Sequence, residues 1–106
     1  MDELVAGIIE DPLEQADKFA YIGGRVKQRG LNIWCYSGYT FEYIIENRNK
    51  KKGWNDLLGV IDVLVDGKFE MDNKRENLKY RGSANQRIID VRASLAGKQI
   101  KLLDID

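Results

Sequence analysis

Histidine is absent from this chain, cysteine occurs once, at Cys35, and proline once, at Pro12. Without histidine, no Ser-His-Asp or Cys-His catalytic pair can form. A single cysteine excludes a disulfide within the chain and, with no histidine, a Cys/His zinc site. Acid–base chemistry would fall to Asp, Glu, Lys, Tyr or Arg. An excess of either charge is missing too: 17 basic side chains balance 17 acidic ones, for a formal net charge of zero. Such a chain exerts no long-range pull on nucleic acid or an anionic membrane surface, and neither is expected as a partner. No apolar run approaches the roughly 20 residues of a membrane span. The opening, MDELVAGIIEDP, is acidic where a secretory signal would be basic, which points to the cytoplasm.

What is present is an ordinary globular composition, 43% hydrophobic and 32% charged over 106 residues. That length predicts a single domain, residues 1–106, with a modest core. The chain is organised around residues 31–46, LNIWCYSGYTFEYIIE. Its apolar, aromatic start reads as a strand buried on both faces. Ser37 and Gly38 break the strand. Thr40 is placed to cap a helix whose inward face is Phe41, Ile44 and Ile45. Ligands of open α/β sheets sit at the C-terminal ends of strands, so the stretch from Ser37 to Thr40 is the first place to look for a site. Cys35, alone in an apolar strand, reads as a small buried hydrophobe and not a reactive thiol.

Leu4, Val5, Ile8 and Ile9 recur at helical spacing and predict a short helix over residues 1–10. Asp11 then stands as an N-cap with Pro12 at the first helical position and Glu14 three residues on, a capping-box arrangement. Leu13, Ala16, Phe19, Ala20, Gly23 and Val26 mark the inward stripe of the helix that follows. Gly23-Gly24 lies inside that helix without the spacing of a phosphate loop, so it reads as close packing. Gly30 ends the helix. The run Lys50, Lys51 and Lys52 reads as a solvated loop. Trp54, Leu57 and Leu58 predict a short helix, VIDVLV (60–65) a second buried strand, and residues 68–80 a long surface loop. Residues 87–91 read as a short strand, 93–96 as a turn or helical turn and 100–105 as a last strand. This alternation predicts an α/β fold with a largely parallel sheet in its first half.

Four stretches stand in a particular order and spacing: DPLEQ (11–15), IWCYSGYTFE (33–42), DVLVDGKFE (62–70) and RGSANQRIID (81–90). Together they resemble the radical-SAM activating proteins of anaerobic ribonucleoside-triphosphate reductase, from residue 11 to the end. The resemblance implies a partial β/α barrel of the radical-SAM type, truncated at its N-terminal side. Members of that family open with a strand and a CxxxCxxC loop whose three thiolates hold a [4Fe–4S] cluster. The cluster's open iron chelates S-adenosylmethionine. Reductive cleavage then yields a 5′-deoxyadenosyl radical that takes a hydrogen atom from a glycine of the reductase. No such loop is present here, and Ile8, Ile9 and Glu10 stand where the family has the first residues of SGGDP. The resemblance therefore implies no catalytic residue, no metal ligand and no cofactor held by this chain on its own.

What the resemblance does carry over is a set of rim positions. Asp11, Ser37, Gly38, Tyr39 and Asp66 match cofactor-binding positions around the S-adenosylmethionine cavity. Arg81, Asn85, Gln86 and Arg87 match a C-terminal motif expected to shape the cavity mouth or dock the reductase. Two functions follow as expectations: a shortened activase, inactive alone, or a non-catalytic docking module for the reductase. An unrelated small enzyme working with Asp and Lys has no acid–base constellation to support it. Removing the leading strands of a barrel would bare a strand edge, which predicts a homodimer through that edge or the leading helix.

Overall fold

The computed structural model describes residues 3–6, through their backbone, and residues 11–105. In chain order the elements are β1 (Glu3–Ala6), α1 (Ala16–Lys27), β2 (Asn32–Ser37), α2 (Phe41–Asn47), α3 (Trp54–Leu58), β3 (Val63–Asp66), β4 (Arg87–Asp90) and α4 (Val91–Gly97), with 3-10 turns at Pro12–Gln15 and Met71–Asn73. The four strands form one sheet in the order β1-β2-β3-β4. The first three are parallel and β4 runs antiparallel to β3. A mixed α/β fold is thus the architecture.

The first correction falls on the leading segment. Where a helix was expected over residues 1–10, Glu3–Ala6 is a strand paired in parallel with β2, Leu4 opposite Ile33 and Val5 opposite Trp34; the remainder of that helix lies outside the described residues. Ten residues are too few to hold a helix by propensity alone. The edge of β2 offers a full row of backbone partners, and tertiary context decides the outcome for so short an apolar run. β1 therefore covers the strand edge that was expected to be bare.

The next segment behaves largely as read. Asp11 accepts a hydrogen bond from the Leu13 amide at 3.0 Å, and Pro12 opens the 3-10 turn that leads into α1. The Glu14 carboxylate, expected to complete the capping box, accepts instead from the Tyr39 hydroxyl. Gly23 does serve close packing. An added Cβ would lie 2.8 Å from Val60 Cγ2 and 3.2 Å from Ile33 Cδ1. Thr40 caps α2 by accepting from the Tyr43 amide at 3.2 Å.

Two apolar clusters sandwich the sheet. On the helix side Ile33, Cys35, Leu64 and Ile89 meet Leu13, Phe41, Ile44, Trp54 and Leu57. On the other side Trp34, Val63, Val65 and Ile88 are covered by Tyr36, Leu103 and the ring of Tyr80, which lies 5.3 Å from Trp34. Burial on both faces explains why β2 and β3 show no polar alternation. The last strand expected, over residues 100–105, is reduced to one bridge between Leu102 and Ile89. The chain leaves α4 through Lys98 at φ 54°, and the Lys101 amide is held by Ser94 Oγ at 2.8 Å. It reaches the outer edge of β4 for two hydrogen bonds only, Asp90 to Lys101 and Leu103 to Ile88. No helix among the described residues is long and apolar enough to cross a membrane.

Candidate functional site

The register of the sheet brings the candidate residues together. Ser37 stands opposite Asp66 across the parallel β2–β3 pair, and Asp66 stands opposite Arg87 across the antiparallel β3–β4 pair. Three residues far apart in sequence thus become lateral neighbours at one end of the sheet, the C-terminal end of its parallel strands. That end is where open α/β sheets place ligands.

Two buried or half-buried carboxylates organise this rim. Asp11 Oδ1 caps the turn before α1, while its Oδ2 accepts from Ser37 Oγ at 3.0 Å and from the Gly38 amide at 2.9 Å. Ser37 Oγ in turn accepts from the Tyr39 amide at 3.0 Å. The SGY loop is therefore pinned to the start of the preceding helix. Asp66, 1% exposed, accepts from the Phe41 amide at 2.7 Å and so satisfies an orphan donor at the start of α2. It also receives Arg87 as a fork, Nε on Oδ1 at 3.0 Å and Nη2 on Oδ2 at 2.5 Å. The same guanidinium reaches Glu42, with Nη1 on Oε2 at 3.1 Å and Nη2 on Oε1 at 2.5 Å. The bond to Asp66, then that to Glu42, raises the pKa of Arg87 further above its ordinary value. Its bonds hold the Glu42 carboxyl below the usual carboxylate range.

A cleft of about 550 Å³ opens above this network, lined by Gly38, Thr40, Glu42, Asp66, Gly67, Lys68, Glu70, Asn85 and Arg87. Gly38, Asp66, Asn85 and Arg87 were anticipated from the sequence. Thr40 falls in the stretch singled out first, whereas Glu42 and Lys68 were not anticipated. Nothing local marks Glu42 as a partner of Arg87, since 45 residues separate them. Tyr39 lies to one side, stacked on Tyr43 with ring centroids 5.4 Å apart. Its bond to Glu14, then burial, pushes its phenol up to about 12.

Apart from Arg87, the C-terminal motif braces its own turn and the loop that leaves β3. Arg81 Nη1 donates to the carbonyl of Gln86 at 2.8 Å. Gln86 Oε1 accepts from the amides of Gly82 and Ser83, and its Nε2 donates to the Gly67 carbonyl at 2.8 Å. Asn85 Nδ2 donates to the Lys68 carbonyl at 2.8 Å. The turn is thereby clamped onto the loop that leaves β3.

Cys35 lies in β2 with its thiol fully buried, and burial, then the nearby charge of Asp11, pushes that thiol far up. Among the described residues, no three His, Cys, Asp or Glu side chains are grouped to hold a metal ion.

A family model described as a 4Fe-4S single cluster domain matches residues 8–89. Among curated proteins, the anaerobic ribonucleoside-triphosphate reductase-activating protein of Vibrio cholerae is 42% identical over 80 residues, 72% of this chain and 48% of the relative. The protein of the same description from Pasteurella multocida is 40% identical over 55 residues, 52% of this chain and 32% of the relative. That from Escherichia coli K12 is 36% identical over 62 residues, 58% and 36%. The matched stretch thus spans about half the length of these relatives or less. No solved structure matches.

Proposed function

The chain belongs to the 4Fe-4S single cluster domain family and is a homologue of anaerobic ribonucleoside-triphosphate reductase-activating proteins, and from that premise we propose that it is the cavity-wall portion of a radical-SAM activase, working in the cytoplasm. In this reading its sheet is part of a partial β/α barrel, and the rim at the C-terminal strand ends faces S-adenosylmethionine. Gly38, Thr40 and Lys68 present backbone and side-chain polar groups to the cleft. Asp11, Ser37 and Asp66 hold the backbone around it, and Tyr39 closes one side. The observation that carries the reading is the lateral alignment of Ser37, Asp66 and Arg87 under that cleft.

The donor set does not fit a 4Fe–4S cluster. Such a cluster draws on several thiolates, whereas the only cysteine of the sequence is buried in β2 with a raised pKa. The chain by itself is therefore proposed to be non-catalytic. Anaerobic incubation of the purified chain with iron and sulfide tests this, the expected result being a colourless protein without bound iron. A stable brown protein carrying cluster iron would overturn it.

The docking reading is favoured by a separate observation, the clamped turn at residues 81–87. Phe69, half exposed, lies against this turn at Gly82, and Met71, two residues on, is largely exposed. In this reading, Arg81, Asn85, Gln86 and Arg87 shape the surface that meets the reductase. Co-sedimentation of the chain with the anaerobic reductase, lost on Met71→Asp, is the expected result.

A further inference from the structure

We propose that residues 75–80 are a gate over the sheet face opposite the helices, latched by Tyr80 on Trp34 and Tyr36, and that an acidic protein surface docking beside Phe69 and Met71 lifts it. The proposal rests on the docking reading above.

The loop between β3 and β4 has two unlike parts. Its base is cross-braced. Asn85 and Gln86 donate to the carbonyls of Lys68 and Gly67, the Glu70 amide donates to Ser83 Oγ at 3.2 Å, and the Ala84 amide donates to the Asn73 carbonyl at 2.7 Å. Phe69 closes the base, since a Cβ added at Gly82 would lie 2.9 Å from its ring. The bracing stops at the bridge between Lys74 and Ser83. Beyond it, residues 75–80 form neither helix nor strand, and all but Leu78 are exposed. A segment held at both roots and unbraced between them can open locally without disturbing the core.

The tip returns to the sheet at Tyr80. Its ring lies 5.3 Å from Trp34, and its carbonyl accepts from the Tyr36 hydroxyl at 2.8 Å. Trp34 is only 7% exposed with that ring in place, whereas Tyr80 itself is 39% exposed. A ring pair and a surface hydrogen bond are each modest, which suits a latch: the closed state dominates and an open state, with Trp34 bared, is its minor companion. The helices pack on the other face of the sheet. Since β/α barrels carry their helices outside, the face under Tyr80 is the lumen wall in the partial-barrel reading, and the gate controls access to it.

The chemistry of the opener is written at the root of the gate. Lys74 and Arg75, both exposed, follow directly on the turn Met71–Asn73. No ion pair to either is formed among the described residues. Lys79 adds a further positive charge, against Glu76 alone, in a chain of zero net charge. A protein that seats Phe69 and Met71 in an apolar pocket therefore meets a basic root, and acidic side chains beside that pocket draw the root away from the sheet. A nucleic acid would answer the charges but leave Phe69 and Met71 in water.

The test labels the full chain with fluorotryptophan and follows the fluorine NMR signals of Trp34 and Trp54, its two tryptophans. Trp54 lies in the helix-side core and serves as the internal reference. In the free chain, Trp34 alone should exchange with a minor state in relaxation dispersion. Tyr36→Phe should raise the population of that state about two- to tenfold. Tyr80→Ala should move the Trp34 signal to the open position and leave that of Trp54 in place. Saturating anaerobic reductase should move the Trp34 signal to the same position. Reversing the root charges, Lys74→Glu with Arg75→Glu, should weaken that response about tenfold while leaving exchange in the free chain unchanged. Equal behaviour of the two tryptophans, or a population indifferent to Tyr36→Phe, overturns the latch. A reductase that co-sediments without moving the Trp34 signal overturns the gate and leaves the docking reading intact. A response indifferent to the charge reversal overturns the acidic opener, and absence of co-sedimentation overturns the docking reading and the opener together.

Discussion

At the residue scale, Asp66 is the most consequential side chain of the rim. It is buried, and its oxygens are held by the Phe41 amide and the Arg87 fork. Asp66→Asn removes the buried charge under the Arg87 fork while Glu42 still pairs that guanidinium, so it should cost about 1–3 kcal/mol, read as a lower urea midpoint at unchanged slope. Glu42 adds a pH signature. Arg87 lowers its folded pKa below the ordinary 4.5. Its contribution is then fully present above that ordinary value and is lost as pH falls through the lower folded one. Urea midpoints followed from neutral pH downward should fall less steeply below pH 4.5 in Glu42→Gln than in the unaltered protein. Equal slopes would show that the Glu42–Arg87 pair is not formed in solution. These roles were only partly legible in the sequence. Asp11 could be read as a cap from its neighbours alone, but its second bond, to Ser37, joins residues 26 apart.

At the element scale, α1 offers a matched pair of substitutions. Gly24→Ala has open space around the new methyl and should stabilise by about 0.5–1 kcal/mol through helix propensity. Gly23→Ala gains the same propensity but meets Val60 Cγ2 at 2.8 Å. Val60 is β-branched and stiff at χ1, so the contact cannot swing away. Overpacking of about 1–3 kcal/mol should leave a net loss near 1 kcal/mol, measurable by thermal or urea unfolding. The helices α1, α2 and α3 and the strands β2, β3 and β4 were all readable, because caps, apolar stripes and buried runs are local signals. β1 was not, since Leu4, Val5, Ile8 and Ile9 satisfy a helical spacing equally well. The strand over residues 100–105 was overread. It is rich in apolar residues, yet Leu102 and Ile105 remain exposed and one bridge is all that forms.

For the molecule as a whole, β2 and β3 are the mechanical centre, sealed between two apolar clusters and flanked by a strand on each side. Their amides should be the last to exchange in native-state hydrogen exchange, and those of residues 75–81, beyond the Lys74–Ser83 bridge, among the first. Comparable protection of the two segments would count against that picture. What the sequence determined by itself is whatever depends on neighbours a few residues apart or on composition: the α/β alternation, the cap at Asp11, the break at Ser37-Gly38 and the burial of Cys35. What only the tertiary structure decided is pairing. Which edge β1 takes, that Ser37, Asp66 and Arg87 stand side by side, and that Arg87 bridges Asp66 and Glu42 all depend on strand register. Register is set by the packing of both sheet faces at once, and no window of sequence contains both.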